Sequence, residues 1–192
     1  IAVSLPFYGR ESFPSGLTVE RLVDVDVVMG EETRRGSIYL SRLDGQIPVL
    51  LVSQEAYFDR KGLYGDESGD YPDNAERFAF FCRAILSGVK RLGWKPGIVH
   101  CNDWQTALIP LYLKTLYSDD HFLGETGSLF TIHNLAYQGI FHRKSLQAVG
   151  LKDGSSVSDA LEFYGNLNTM KAGLVYADLL STVSPTYCTE IQ

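Results

Sequence analysis

The stretch Ser128-Leu129-Phe130-Thr131-Ile132-His133-Asn134-Leu135-Ala136-Tyr137-Gln138-Gly139 decides how this chain is read. Its first five residues are strand-forming and mostly apolar, and His133 and Asn134 follow at once. In open α/β sheets, ligands sit outside the carboxyl ends of the strands, so a His-Asn pair at that point lies where a ligand is met. A neutral imidazole and a carboxamide together offer donors and acceptors, the set that recognition of sugar hydroxyls requires. The plain alternative is a structural histidine satisfied by its neighbours. A general-base role needs a geometry that spacing alone does not supply.

Around this stretch, helix and strand patterns alternate. Upstream, Asp73 or Asn74 is placed to cap a helix whose apolar positions Phe78, Phe81, Cys82, Ile85 and Val89 follow three-to-four spacing, and Gly93 is expected to end it. Pro96 to Cys101 reads as a short strand. Asp103 then caps a second helix with Ala107, Leu108, Leu111 and Tyr112 on its inner face. Downstream, Leu167 to Tyr176 reads as helix and Leu179 to Val183 as strand, and Ser184-Pro185 opens a last helix with Pro in its first turn. This βαβα rhythm with short apolar strands implies an α/β fold with a mostly parallel sheet covered by helices on both faces.

The N-terminal third differs. Leu22 to Val28 alternates apolar and acidic residues, Gly30-Glu31-Glu32 can turn, and Gly36 to Leu43 returns, the pattern of a half-solvated antiparallel hairpin. Ile47 to Val52 is apolar on both faces and reads as a buried strand, and Gly62 to Asp73 reads as a long loop. Ile1 to Gly9 begins inside a strand-like run with neither an initiator Met nor a cap, so the chain is expected to be a fragment of a longer protein.

Composition narrows the class. At 192 residues and 45% hydrophobic, one sizeable core is expected, so residues 1–192 are read as a single domain. A net charge of -6 with scattered Lys and Arg argues against a nucleic-acid surface, and no apolar run of about 18 residues is present to span a bilayer. Cys82, Cys101 and Cys188 are odd in number, far apart and set in apolar sequence, as buried thiols of a reducing compartment are. His100, His121, His133 and His142 lack zinc-ligand spacing and no CxxC occurs, so no metal is expected.

Three further segments have bland readings beside functional ones. In His100-Cys101-Asn102-Asp103-Trp104, Asp103 either only caps its helix while Trp104 packs, or both line a crevice for a sugar; the two roles are compatible. Tyr71-Pro72-Asp73-Asn74-Ala75-Glu76-Arg77-Phe78 reads as a helix start with an acidic first turn. Lys171, in Phe163 to Gly173, is either a solvated lysine or the buried partner of an acid.

In order, YPDNAERF, VHCNDWQTALIPLYLK, TIHNLAYQG, EFYGNLNTMKAGLVYAD and TVSPTYCTEI closely resemble the N-terminal domain of the bacterial glycogen synthase and starch synthase family, retaining glycosyltransferases of GT-B architecture. The likeness covers the whole chain and is dense from Tyr71 onward. It implies a Rossmann-like half with a β-hairpin excursion. The activity it implies is hexosyl transfer, moving glucose from ADP-glucose to the non-reducing end of an α-1,4-glucan. No cofactor is implied beyond the donor, and the compartment implied is the bacterial cytoplasm, or the plastid in a plant.

Residue by residue, the resemblance implies that His133 hydrogen-bonds the donor glucose and that Asn134 lies near the same sugar or the acceptor. Asp103 and Trp104 are implied as active-site and glucan contacts, and Tyr64, in Lys61-Gly62-Leu63-Tyr64-Gly65, resembles the family's acceptor-side tyrosine. Where the family often has His-Ala-His-Asp-Trp, this chain has His100-Cys101-Asn102-Asp103-Trp104, keeping the Asp and Trp. The family's Lys-x-Gly-Gly-Leu-Gly-Asp loop does not occur in the 192 residues, and Ile1 begins just beyond where it would lie. The family's second, nucleotide-holding domain is likewise expected as a C-terminal partner outside them, so the isolated chain is expected to be inert or nearly so. Two other classes fit the residues: a glucan-binding module with Trp104, Tyr64 and Tyr137 near a crevice, and another GT-B transferase such as a sucrose synthase-like enzyme.

Overall fold

The alternating Val and Asp residues of the N-terminal third form a long hairpin in the computed structural model, which describes residues 1–9, 17–151 and 155–192. The chain divides into two compact units, Ile1–Trp94 and Lys95–Gln192.

The first unit contains β1 (Val3–Pro6), β2 (Glu20–Met29), β3 (Glu32–Leu43), β4 (Ile47–Ser53), the short helix α1 (Glu55–Phe58), β5 (Gly65–Asp66), β6 (Gly69–Asp70) and α2 (Asn74–Arg91). Its four-stranded sheet runs β1-β4-β3-β2, with β1 parallel to β4 and the other pairs antiparallel. In β2 the expected half-burial is present: Val25, Val27 and Met29 are buried, while Asp24 faces Arg21, Arg35 and Ser37 on the outer side. Helix α2 packs across β2, β3 and β4, and a Cβ at Gly88 would fall 2.8 Å from Ile38, so only glycine permits that approach. The expected apolar stripe is wider than its spacing implied. Phe80, Ala84 and Leu86 are buried beside Phe78, Phe81 and Cys82, whereas Val89 is only half-buried. Gly93 closes the helix at φ +67°, with its N–H bonded to Lys90 O and the Trp94 N–H to Val89 O. The expected loop between Gly62 and Asp73 contains the small β5-β6 ladder.

The second unit contains β7 (Ile98–Asn102), α3 (Asp103–Thr106), α4 (Leu108–Lys114), β8 (Gly127–Ile132), β9 (Ile140–His142), a 3₁₀ turn at Arg143–Leu146, α5 (Ser156–Leu161), β10 (Glu162–Phe163), β11 (Asn166–Asn168), α6 (Thr169–Tyr176), β12 (Leu179–Thr182) and α7 (Pro185–Glu190). Strands β12-β8-β7 form the expected parallel sheet. Cys101, Phe130 and Ile132 are buried on one face, where Gly173 of α6 lies so close to Phe130 that a Cβ would fall 2.7 Å from the ring. The opposite face carries Ile98 and Leu179, 72% and 67% exposed. The single helix expected after Asp103 is interrupted at Ala107. Pro110 explains the break, because it lacks the N–H that would bond Thr106 O and its ring crowds that carbonyl. Helix α6 starts at Thr169 rather than Leu167, because Asn166–Asn168 pair with Ile140–His142 in the small sheet β10-β11-β9, which periodicity did not reveal. Helix α7 opens as expected, with Pro185 at its start and the Ser184 hydroxyl accepting from the Tyr187 N–H. No helix among the described residues is long and apolar enough to cross a membrane.

Candidate functional site

Two strand ends create the site. Strands β7 and β8 are adjacent and parallel, with Asn102 beside Thr131, so the residues that follow each strand emerge side by side. Asp103 leaves β7 with a left-handed φ of +55°, a conformation that costs a non-glycine residue about 1–2 kcal/mol and that Asp tolerates better than most. This turn aims its carboxylate at the end of β8. One oxygen, Oδ1, accepts from the His133 N–H at 2.8 Å, and Oδ2 lies 3.0 Å from His133 Nδ1.

The capping role expected of Asp103 is therefore corrected. Asn102 is the N-cap residue and its side chain makes no cap bond; its N–H is satisfied by Thr106 Oγ1 at 2.6 Å. The Asp103 carboxylate is used across the strands instead. A carboxylate only accepts, so a proton on Nδ1 is the one that suits the Asp103 contact, and that tautomer presents Nε2 as an acceptor. With side chains 27% and 47% exposed, the pair is open to a ligand and held in one orientation.

The loop after His133 is pinned at several points. Asn134 Oδ1 accepts from the Ala136 N–H at 3.0 Å, closing a local turn and leaving the amide donors of this exposed side chain directed elsewhere. Tyr187 reaches from α7 to accept the Leu135 N–H on its hydroxyl at 2.8 Å. At the far end, the N–H groups of Thr169 and Met170 donate to the carbonyls of Gly139 and Gln138, both at 3.0 Å, and Asn168 Nδ2 donates to Gln138 Oε1 at 2.6 Å. Gly139 has φ +62°, and a Cβ there would meet Thr169 Oγ1 at 2.2 Å and the Trp104 ring at 2.8 Å. Trp104 packs, as its bland reading held, with its ring 5.6 Å from that of Phe141. Tyr137 is 70% exposed.

The second unit thus brings four of the expected site residues, Asp103, Trp104, His133 and Asn134, onto two neighbouring strand ends and the loop between them and β9. Tyr64 belongs to the first unit, where it is 40% exposed and its ring lies 5.8 Å from that of Phe78. Lys171 is half-buried, and among the described residues its Nζ donates to the backbone carbonyl of Glu162 at 2.7 Å rather than to an acid. Behind the Asp103–His133 pair, His100 Nε2, Thr131 Oγ1 and Ser181 Oγ form a chain across all three strands with two links of 2.6 Å. Among the described residues, no three His, Cys, Asp or Glu side chains gather as metal ligands do.

Two supports have no mark in the sequence beyond a helix start: Tyr187 in the first turn of α7, and Asn74 with Arg77 in the first turn of α2, where Asn74 is the first helical residue and Asp73 the N-cap. The available signal for Arg77 was its place between the buried-pattern residues Ala75 and Phe78, where a solvated arginine is out of register.

Comparison with known proteins identifies the family. The model of the family described as "Starch synthase catalytic domain" matches residues 1–192. The chain is 46% identical over 192 residues to a glycogen synthase of Geotalea daltonii, covering 100% of this chain and 39% of that protein. It is 49% identical over 156 residues to a glycogen synthase of Thermotoga maritima, covering 81% of this chain and 31% of that one. The solved catalytic domain of starch synthase IV from Arabidopsis thaliana, bound to ADP and acarbose, superposes with a TM-score of 0.84 at 27% identity, covering 99% of this chain and 39% of the other. The chain therefore spans well under half the length of these relatives.

Proposed function

The chain belongs to the starch synthase catalytic-domain family, and from that premise we propose that it is the acceptor- and glucose-contacting part of a retaining glucosyltransferase that uses ADP-glucose and extends an α-1,4-glucan. The observation that carries the reading is the Asp103–His133 pair at adjacent strand ends, an imidazole held 3.0 Å from a carboxylate, with the packed Trp104 next to Asp103 in the chain. In this reading the outward Nε2 of His133 accepts from a glucose hydroxyl, the Asn134 amide donates to the same sugar or to the acceptor, and Trp104 forms part of the apolar wall. Tyr64 contacts the glucan from its own unit.

None of these groups attacks the sugar. The proposed chemistry is a same-face displacement in which the departing phosphate takes the proton of the acceptor hydroxyl, rather than the work of two carboxylates flanking a glycosidic bond. Asp103 and His133 act by orienting the sugar and stabilising the charge that develops on it. The cations that steady the leaving diphosphate are assigned to a C-terminal domain of the same protein, outside these 192 residues, and no metal is assigned. The bacterial cytoplasm, or a plastid in a plant, is the compartment that goes with this reading.

In the full-length protein, His133→Ala is expected to lower kcat by more than tenfold with KM little changed, since the contact is used in the transition state; an unchanged kcat/KM removes His133 from the site. The 192-residue chain alone is expected to transfer little or no radiolabel from ADP-glucose to glycogen, and a normal turnover number refutes the division of labour. A glucan-binding module is the second reading, favoured by the exposed rings of Tyr64 and Tyr137. Calorimetric titration separates the two: binding of maltotetraose by the full-length protein without any transfer supports the module.

A further inference from the structure

Arg77 is 0% exposed, yet among the described residues every hydrogen-bond partner of its guanidinium is neutral. Its Nε donates to Tyr57 O at 2.7 Å, one terminal nitrogen to Asn74 Oδ1 at 2.5 Å and the other to Leu63 O at 3.1 Å. The rings of Tyr71, Phe58 and Phe78 surround it, with centroids 4.9, 5.7 and 5.5 Å from the guanidinium carbon. Burial of this charge disfavours its protonated form, and the nearby Arg60 adds to the effect. A buried charge held by carbonyls and rings is costly unless its geometry does something a hydrophobic side chain could not.

What it does is join three segments. Arg77 can only donate, so Asn74 must turn its oxygen toward it, and the Asn74 amide then faces Tyr64 O, to which it donates at 2.8 Å. The carbonyls of Leu63 and Tyr64, consecutive in the loop, are therefore held by side chains from the first turn of α2. The Tyr71 N–H is a second donor to Tyr64 O at 2.9 Å, and the Tyr71 hydroxyl accepts from the Gly62 N–H at 3.3 Å. Arg60 stacks 4.8 Å from the outer side of Tyr71 while its two terminal nitrogens grip Asp73 at 2.8 and 2.6 Å. The carbonyl of Tyr64 is held by two donors, yet the residue stays 40% exposed.

We infer that Asn74 and Arg77 are positioning residues that set the aim of Tyr64 toward an α-glucan, so that acceptor affinity depends on a latch that never touches the sugar. The inference rests on the reading of Tyr64 as an acceptor contact. Its energetic logic is preorganisation: a ring on a loose loop must lose backbone freedom on binding, and the latch removes that cost beforehand.

The test uses the full-length protein and maltotetraose titrated by calorimetry, with Asn74→Asp, Tyr64→Ala and the double variant. Asn74→Asp keeps an oxygen for Arg77, now as a charged partner, and places an acid at the start of α2, where the helix dipole favours it, so folding is retained; the donor to Tyr64 O is replaced by a second acceptor facing that carbonyl. Tyr64→Ala is expected to weaken binding about tenfold, the size of one good ring contact. Asn74→Asp is expected to weaken it about three- to tenfold, and the double variant no further than Tyr64→Ala. Arg77→Lys, which reaches at most one of the three acceptors well, is expected to weaken binding in the same Tyr64-dependent way while also lowering Tm. Additive effects of Asn74→Asp and Tyr64→Ala, or an Asn74→Asp protein with wild-type affinity beside a weakened Tyr64→Ala, overturn the positioning role and leave the reading of Tyr64 standing. Unchanged affinity in Tyr64→Ala removes that reading, and the inference with it.

Discussion

Replacing Asp103 with Asn changes one functional group and should reverse the polarity of the imidazole that the site presents. Asn is isosteric with Asp and tolerates the left-handed φ of +55° at least as well, so no backbone strain is added. The Asn oxygen can keep the 2.8 Å bond from the His133 N–H, but the other position, 3.0 Å from Nδ1, becomes an NH2 group. Two donors cannot face each other, so the neutral ring must place its proton on Nε2 and accept on Nδ1. The outward nitrogen then changes from acceptor to donor. A charge-assisted bond contributes about 1.5–3 kcal/mol and a neutral one about 0.5–1.5, a difference of about 1 kcal/mol. Since the two side chains are 27% and 47% exposed, about half of that survives solvent screening. For a chain of this length the loss corresponds to a fall in Tm of about 1–2 °C. Two-bond 15N–1H correlation at alkaline pH reads the tautomer directly: Nδ1–H in the wild type and Nε2–H in Asp103→Asn. A wild-type ring protonated on Nε2, or a tautomer that ignores the substitution, refutes the argument that Asp103 sets the imidazole.

Gly139→Ala forces a side chain into φ +62° and within 2.2 Å of Thr169 Oγ1 and 2.8 Å of the Trp104 ring; strain and overpacking together are expected to cost about 2–5 kcal/mol in urea unfolding, and a loss below 1 kcal/mol would mean the loop is not pinned as described. Cys101 is buried and its thiol is pushed up to about 12 by that burial, Cys82 is buried too, and Cys188 is exposed. The native chain should therefore take one equivalent of maleimide, at Cys188 on peptide mapping, and three only when unfolded; native labelling of Cys101 contradicts its placement. Asp178 accepts from Lys114 Nζ at 2.6 Å and from the N–H and hydroxyl of Ser128, both at 2.8 Å; the Lys114 bond first, then Ser128, hold its carboxyl below the ordinary 3.8. A lowered folded-state value gives stability that is present above the unfolded value and lost as pH falls through the folded one. The Tm gap between wild type and Asp178→Asn should therefore be widest near neutrality and close below about pH 4; a gap that does not change with pH refutes the role of the charge.

Much of the architecture was legible because its causes are local. The Val-Asp alternation of β2 reports which side of the strand meets the core, and the apolar runs of β4, β7 and β8 report burial, whatever lies elsewhere in the chain. Ser184 and Gly93 were readable as helix boundaries because capping and left-handed closure depend on a few neighbouring residues. The small sheet β10-β11-β9 was not legible: two- and three-residue strands carry no period, and they exist only because Asn166–Asn168 find Ile140–His142 across an intervening stretch. The break at Ala107 has a local cause, Pro110 acting on a carbonyl four residues back, but the even apolar spacing from Ala107 to Tyr112 masks it.

Residue pattern alone gives the half-buried hairpin, the main alternation of helices and strands, the strand end that delivers His133 and the segments that mark the family. The roles of Asp103 and Arg77 follow from the folded chain instead. Asp103 has every local mark of a helix cap, yet the parallel register of β7 against β8 puts the end of a strand 30 residues away within its reach, and the left-handed turn at Asp103 spends the carboxylate there. Arg77 looks like one more charge on a helix start, yet the carbonyls of Tyr57 and Leu63 close over it. In both cases a polar side chain had several possible partners, and the choice was made by which backbone groups folding left unpaired nearby, a quantity no local pattern encodes.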